Sequence, residues 1–346
     1  LGNEAVMVTP LVPVTVDQAN DLASKTTGIV TATISNTALA DYAALTETGN
    51  VYAIAIADAA IDAAALRALD AKTTGAITLT GATSVLGVYA DVLEVLSHGG
   101  ISGWSNPSVT VTAPVTAAQA NMLALLTGGV VTAEIAAGSA TSINNALASA
   151  DAADALTITL TDATITAEVL NALDAKTSVE IDAASIVAVA GGLGALLAAY
   201  TGDVTGLGDE ALTVTTSPIG VGNANDIAGL TTGAVTATIA DGDLATLNNL
   251  AETGHAYAVT VTDPTAAAWA LTALASKTSV PVNAAAVQSV TGTDHAELSA
   301  LYAAGSAGRI TGLGNEAVTA AAALSLAEAN DLASKTTGVV TAFISN

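Results

Sequence analysis

Residues 19–36 read ANDLASKTTGIVTATISN, and residues 329–346 read ANDLASKTTGVVTAFISN. The two copies differ only where Ile29 becomes Val339 and Thr33 becomes Phe343. Self-similarity at long range marks a repeat architecture, so the search for further copies comes first. LGNEAV stands at 1–6 and again at 313–318, LGDEAL at 207–212, and WSNPSV holds the matching place at 104–109. The chain therefore reads as repeat units 1–103, 104–206 and 207–312, with the start of a fourth at 313–346. LRALDAKTTGAITL (66–79), LNALDAKTSVEID (170–182) and LTALASKTSVPVN (271–283) keep the same register.

Each unit divides again, at a period of about 22–25 residues with a longer fourth step. Val30, Ala32 and Ile34 alternate with Thr31, Thr33 and Ser35, the period-two signature of a strand. Leu66 and Leu69, Leu170 and Leu173, and Leu271 and Leu274 are spaced as one face of a short helix. Asp58, Asp162 and Asp263 are placed to cap the helix that follows each, with Pro264 suited to a first turn. Gly28, Gly75, Gly129, Gly233 and Gly338 follow the helices, where a left-handed terminating residue is wanted. KTTG thus reads as a helix stop and turn, with its lysine set against the helix dipole; a phosphate loop would need GxxxxGK[ST], which is absent.

Strand, turn, helix and turn in this order predict an α/β fold: a right-handed α/β solenoid of about fourteen coils, with one parallel sheet. The alternative is three tandem small α/β domains, against which no flexible linker marks residues 103 or 206. The spacing resembles that of leucine-rich repeats, without their Asn ladder or LxxLxL pattern.

Composition narrows the function. Hydrophobic residues make up 51% and aromatics 3%, so the core is built of Ala, Val, Leu and Ile. The chain carries 31 acidic and 7 basic residues, a net charge of −24. That balance argues against nucleic acid and anionic membrane surfaces as partners, and it keeps an apolar chain in solution. With no cysteine, disulfides and thiol chemistry are excluded. Residues 183–202 are apolar and long enough to span a bilayer. Their counterparts carry Asp91 and Glu94, or Asp294, His295 and Glu297, so no membrane span is expected.

No catalytic, cofactor or metal site is predicted. HExxH, GxSxG, GxGxxG and the calcium nonapeptide are absent, and His98, His255 and His295 read as surface or turn residues. Glu180 and Asp182 alternate onto the outward side of a strand, as a solvated face. Threonine supplies the one candidate surface. Thr31, Thr33, Thr110, Thr112, Thr157, Thr159, Thr213, Thr215, Thr236, Thr238, Thr260 and Thr262 should point away from the helices, with Thr132 and Thr341 in the same rank. Stacked, such T-x-T pairs resemble the surface of β-solenoid ice-binding proteins. Threonine also collects on any half-exposed sheet, and Ala53, Ala55, Glu134, Glu180, Asp182, Pro281 and Phe343 interrupt the array.

ANDLASKTTGVVTA, LNALDAKT and ITGLGNEAVT resemble the tandem repeats of giant cell-surface proteins of marine cyanobacteria, over essentially the whole chain. The resemblance implies an extracellular or cell-surface location and a structural task, and brings no catalytic residue with it. The expected function is therefore a structural segment of a long extracellular repeat protein, such as a surface fibre, stalk or surface-layer component. Its expected partners are further copies of the repeat, in cis or on neighbouring subunits, because the last strand's edge would need covering. The alternative is a binding module using the threonine face for ice, a glycan or a partner rod.

Overall fold

A computed structural model describes residues 2–9, 11–216, 218–251 and 253–345. Among these the chain is α/β, with twelve α-helices, one 3-10 helix and 23 short strands. It divides into two compact units, Leu1–Thr161 with Ala172–Asp182, and Asp162–Asn171 with Ala183–Asn346.

In the first unit, one parallel sheet runs through Val6–Met7, Val30–Thr33, Val51–Ile56, Ile77–Leu79 and Ile101–Ser102, in that order. A second begins at Ala60–Asp62 and continues through Ser84–Gly87, Ser108–Val111, Val131–Glu134, Ala155–Thr159 and Ile181–Asp182. Neighbouring strands come from neighbouring coils, as a solenoid requires. The second unit repeats the plan. One sheet is Thr164–Thr166, Ala188–Gly191, Ala211–Val214, Val235–Thr238 and Ala256–Ala258. Another is Thr265–Ala267, Ser289–Gly292, Ala317–Ala320 and Val340–Thr341. Val282–Asn283 pairs with Ile310–Thr311, and the bridge between Thr260 and Asn283 ties that pair to the coil before it.

The α/β class is as expected, but the single sheet is not: each unit contains several, and they are staggered. A new sheet starts beside the old one before the old one ends, so three successive coils carry a strand of each. In the first unit these coils contain residues 51–62, 77–87 and 101–111; in the second, 256–267, 282–292 and 310–320. Glycine makes the last step from sheet to sheet. Gly103, Gly206 and Gly312 have φ of 93°, 84° and 86°, a region closed to most side chains. A Cβ on Gly103 would also stand 2.0 Å from the Leu79 carbonyl oxygen.

Both expected periodicities hold. Val30, Ala32 and Ile34 are buried, while Thr31 and Thr33 are half-buried. Leu66, Leu69, Leu170, Leu173, Leu271 and Leu274 are all buried, each side chain stabilising the stack by about 1.5–3 kcal/mol. Residues 183–202 contain a strand at Ala188–Gly191 and a helix at Leu193–Ala199. No helix among the described residues is long and apolar enough to cross a membrane.

The local punctuation works differently from its sequence reading. Asp58 and Asp263 reach backwards: Leu39 N–H donates to Asp58 Oδ2 at 2.7 Å, and Leu244 N–H to Asp263 Oδ2 at 2.6 Å. Each caps the helix of the preceding coil, because the strand end lies beside that helix's first turn. The helix that follows Asp58 is capped by Asp62 instead, through Ala65 N–H at 2.9 Å. Pro264 precedes a strand, Thr265–Ala267, and not a helix.

The post-helix glycines are needed for space and not for handedness, since none of the five has positive φ. A Cβ on Gly28, Gly75, Gly129, Gly233 or Gly338 would lie 2.2–2.5 Å from a carbonyl oxygen of the preceding coil. The lysines, too, bond between coils. Lys176 Nζ donates to the Leu147 carbonyl at 2.5 Å; Lys72 and Lys277 donate likewise to Leu45 and Leu250.

Candidate functional site

Outward threonines and inward polar ladders are the two side-chain arrays built by the repeat. Of the twelve predicted outward residues, Thr110, Thr112, Thr157, Thr159, Thr213, Thr215, Thr236, Thr238, Thr260 and Thr262 are exposed, and Thr31 and Thr33 are half-buried. Register decides which of them meet. Thr213 pairs with Thr236, and Thr110 with Thr132. Thr291, Thr319 and Thr341 form a run of three.

The other neighbours are mixed. Thr31 lies between Met7 and Val51, Thr33 beside Ala53, and Thr157 beside Glu134. Thr159 pairs with Asp182, Thr236 and Thr238 with Ala256 and Ala258, and Thr260 with Asn283. Thr112 and Thr215 stand just past their strands, each giving one last N–H to the preceding coil, at Gly87 and Gly191. Their strands end at Val111 and Val214, and pairing resumes only at Val115 and Ile219, after short loops. The array is therefore patches of two or three threonines, without a continuous second column.

The inward array was hidden in KTTG and its variants. Thr26, Thr73, Thr127, Thr177, Thr231, Thr278 and Thr336 are buried. Each donates its hydroxyl to a carbonyl of the preceding coil: Thr26 to Glu4 at 2.6 Å, Thr177 to Leu156 at 2.9 Å, Thr278 to Tyr257 at 2.8 Å. Thr127, Thr231 and Thr336 bond Pro107, Glu210 and Glu316 at 2.5, 2.7 and 2.7 Å; Thr73 shares its hydroxyl between Asn50 and Tyr52. Each oxygen also accepts the N–H two residues on, such as Gly28 at 2.9 Å or Val280 at 3.1 Å. Thr177 and Thr278 accept a further N–H, from Leu156 at 2.9 Å and Tyr257 at 3.0 Å.

A second inward slot is filled by three different residues doing one job. Val30 N–H donates to Asn50 Oδ1 at 2.8 Å, Val131 N–H to Asp154 Oδ1 at 2.7 Å, and Val235 N–H to His255 Nδ1 at 3.0 Å. His255 is thus a buried inter-coil acceptor, which corrects the surface reading. Burial pushes the Asp154 carboxyl above its usual range, against the opposing pull of the Val131 and Asp151 N–H groups. A third device is the Asn of AND and its counterparts. Asn20 Nδ2 donates to Ala44 O at 2.8 Å and its Oδ1 accepts Thr46 N–H at 3.1 Å. Asn225 does the same with Asn249 and Ala251, both at 2.9 Å, and Asn121 accepts Ser149 N–H at 2.6 Å.

Glu210 and Glu316, inside LGDEAL and LGNEAV, are also buried. Glu316 Oε2 accepts the N–H groups of Gly314 and Asn315 at 2.7 and 3.0 Å, and its Oε1 accepts the Tyr302 hydroxyl. Burial, then the Glu316 carboxylate, raises the Tyr302 hydroxyl well above its ordinary value.

His98 and His295 lie near the surface as expected, 3.4 Å from Asp70 and 3.0 Å from Asp331. Glu180 and Asp182 are exposed. Among the described residues, no group of three or more His, Asp or Glu side chains is placed to hold a metal ion. A groove of about 430 Å³ holds Arg67, which is already paired with Asp91 at 2.9 Å and Glu94 at 2.5 Å. No protein-family model, no curated protein and no solved structure matches this chain.

Proposed function

We propose that the chain is a structural segment of a long extracellular repeat protein, working in a surface fibre, stalk or surface layer and without catalysis. One observation carries the reading. In coil after coil, the buried hydroxyl, carboxamide, carboxylate and imidazole groups bind the backbone of the adjacent coil. Groups of this chemistry, when they serve a reaction, converge on a cavity; here they are spent at fixed intervals along the stack. Such a device lengthens without redesign, because each coil meets only its neighbours. The outward location rests on the resemblance to cell-surface repeats and on the acidic, cysteine-free composition. Antibody raised against the chain should label intact cells carrying the gene, and brief external protease should remove the label. Labelling only after permeabilisation would overturn the extracellular reading.

A second reading uses the outward threonines to bind ice, a glycan or a partner rod. The run Thr291–Thr319–Thr341 favours it. Absence of thermal hysteresis at millimolar protein would remove ice from that set.

A further inference from the structure

The helix Ala117–Leu126 departs from its counterparts in the repeat. Ala117, Ala120 and Leu123 face the core and are buried. On its other side Ala118, Met122, Leu125 and Leu126 are exposed. Their spacing of i, i+4, i+7 and i+8 makes a second apolar face. Met122 is 43% exposed, Leu125 62% and Leu126 39%. Single exposed apolar residues mean little, whereas a contiguous apolar face marks a contact surface.

The other copies show what the coil itself needs at these places. Aligned on Asn20, Asn121, Asn225 and Asn330, Met122 stands where the others have Asp21, Asp226 and Asp331. Leu125 stands for Ser24, Gly229 and Ser334, and Leu126 for Lys25, Leu230 and Lys335. In two copies the first and last of these places hold an ion pair, Asp21 with Lys25 and Asp331 with Lys335. The same coil is built with polar residues there, so the apolar set serves something outside it.

Charge indicates the occupant. No Asp, Glu, Lys or Arg lies between Glu94 and Glu134, in a chain of net charge −24. Two copies of such a chain repel each other over most of their surface, and least at this coil. The adjacent helix Ala140–Ala146 adds exposed, uncharged Thr141, Ser142 and Asn145; on the other side, Glu94 is taken up by Arg67. An apolar centre beside a polar rim is the anatomy of a protein interface. A strongly charged partner would find no opposite charge in this stretch to pair with.

We propose that the outer face of Ala117–Leu126 is a self-association site, its occupant the same helix of a second copy, packed antiparallel across a twofold axis. The twofold makes one patch its own complement: Met122 lies at the axis, and Ala118 of each copy leaves room for Leu126 of the other. A helix of this length spans only ~15 Å. It presents less than the ~800 Å² per partner of a standard interface, so the contact is weak and reversible.

Sedimentation equilibrium on the full chain tests this. The chain should be partly dimeric at ~1 mM, and raising sodium chloride from about 0.05 to 0.5 M should tighten the dimer roughly threefold or more. The triple variant Met122→Asp, Leu125→Ser, Leu126→Lys takes the residues of the first copy; it should keep the parent's urea midpoint and be monomeric. In a chain without cysteine, Met122→Cys should oxidise to a disulfide-linked dimer about tenfold faster than Asp21→Cys, the same place in the first copy. A monomer at ~1 mM in ~0.5 M salt, a dimer that survives the triple variant, or equal oxidation of the two cysteine variants would each overturn the proposal. So would a monomer that binds neutral phosphatidylcholine vesicles through this helix instead. The inference goes beyond the structural role proposed above and does not depend on the extracellular location, so either can fail alone.

Discussion

At the scale of single residues, the inward slots distinguish acceptor geometry from residue identity. Asn50, Asp154 and His255 each offer one lone pair to a valine N–H, and only Asp154 brings a charge into a buried site to do so. Asp154→Asn keeps an acceptor there and removes the cost of burying a carboxylate. The variant also gives up the acceptor for Asp151 N–H, so its stability at neutral pH should stay within about 1 kcal/mol of the parent's, read by urea unfolding. Because the folded-state pKa of Asp154 is raised, the native chain holds that proton more tightly than the unfolded one. This group's contribution therefore falls as pH rises from the unfolded value of ~3.9 through the folded one, and the Asn variant should lose that slope. The Thr278 hydroxyl makes three hydrogen bonds, donating to Tyr257 O and accepting from Tyr257 N–H and Val280 N–H. Thr278→Val strands the partners of that hydroxyl and should cost about 2–3 kcal/mol, whereas Thr278→Ser should cost under about 1 kcal/mol.

At the scale of elements, several helices borrow a first-turn partner from the coil that follows, Val16 from Asn36, Leu39 from Asp58, Val221 from Asp241 and Leu244 from Asp263. Removing such a partner should loosen a helix that lies earlier in the chain. Asp58→Ala should destabilise by about 1 kcal/mol, with faster hydrogen exchange at Leu39–Ala44, while the helix at Ala63–Asp70 keeps its own Asp62 cap and its protection.

Much of this level was legible in sequence, and some of it was not, for physical reasons. Alternation at Val30–Ile34 and the Leu66/Leu69 spacing reported strands and helix faces directly, because burial has the same period as the backbone. The polar ladder escaped notice because Thr26 and Thr27 are chemically identical neighbours, and only the path of the preceding coil decides which one turns inward. The reason for the glycines escaped likewise. Positive φ and a carbonyl at 2.2–2.5 Å both demand the absence of a side chain, and a sequence records only that absence. The staggered sheets were hidden because the break at residues 57–59 is only three residues long and its Asp58 reads as a helix cap.

At the scale of the whole molecule, 31 acidic against 7 basic residues make the folded chain repel itself. Added salt screens that repulsion, so the Tm should rise between low ionic strength and roughly 0.15 M sodium chloride; a flat response would mean the charges are already too dispersed to matter. Contacts between adjacent coils dominate, so damage should also stay local. His255→Leu, which removes the acceptor for Val235 N–H, should raise exchange across residues 235–283 and leave residues 6–56 unaltered.

The staggered sheets have a mechanical consequence. Where a sheet ends, three coils have already been shared with its successor, as in a lap joint between planks. A tear running between the strands of one sheet meets, in those three coils, a second set of strands bound to the same backbone. Both ladders must part together there, so the overlaps at 51–111 and 256–320 should be the last parts of each unit to yield when the chain is stretched, and coils with a single strand, such as those of Val131–Glu134 in the first unit and Val235–Thr238 in the second, the first.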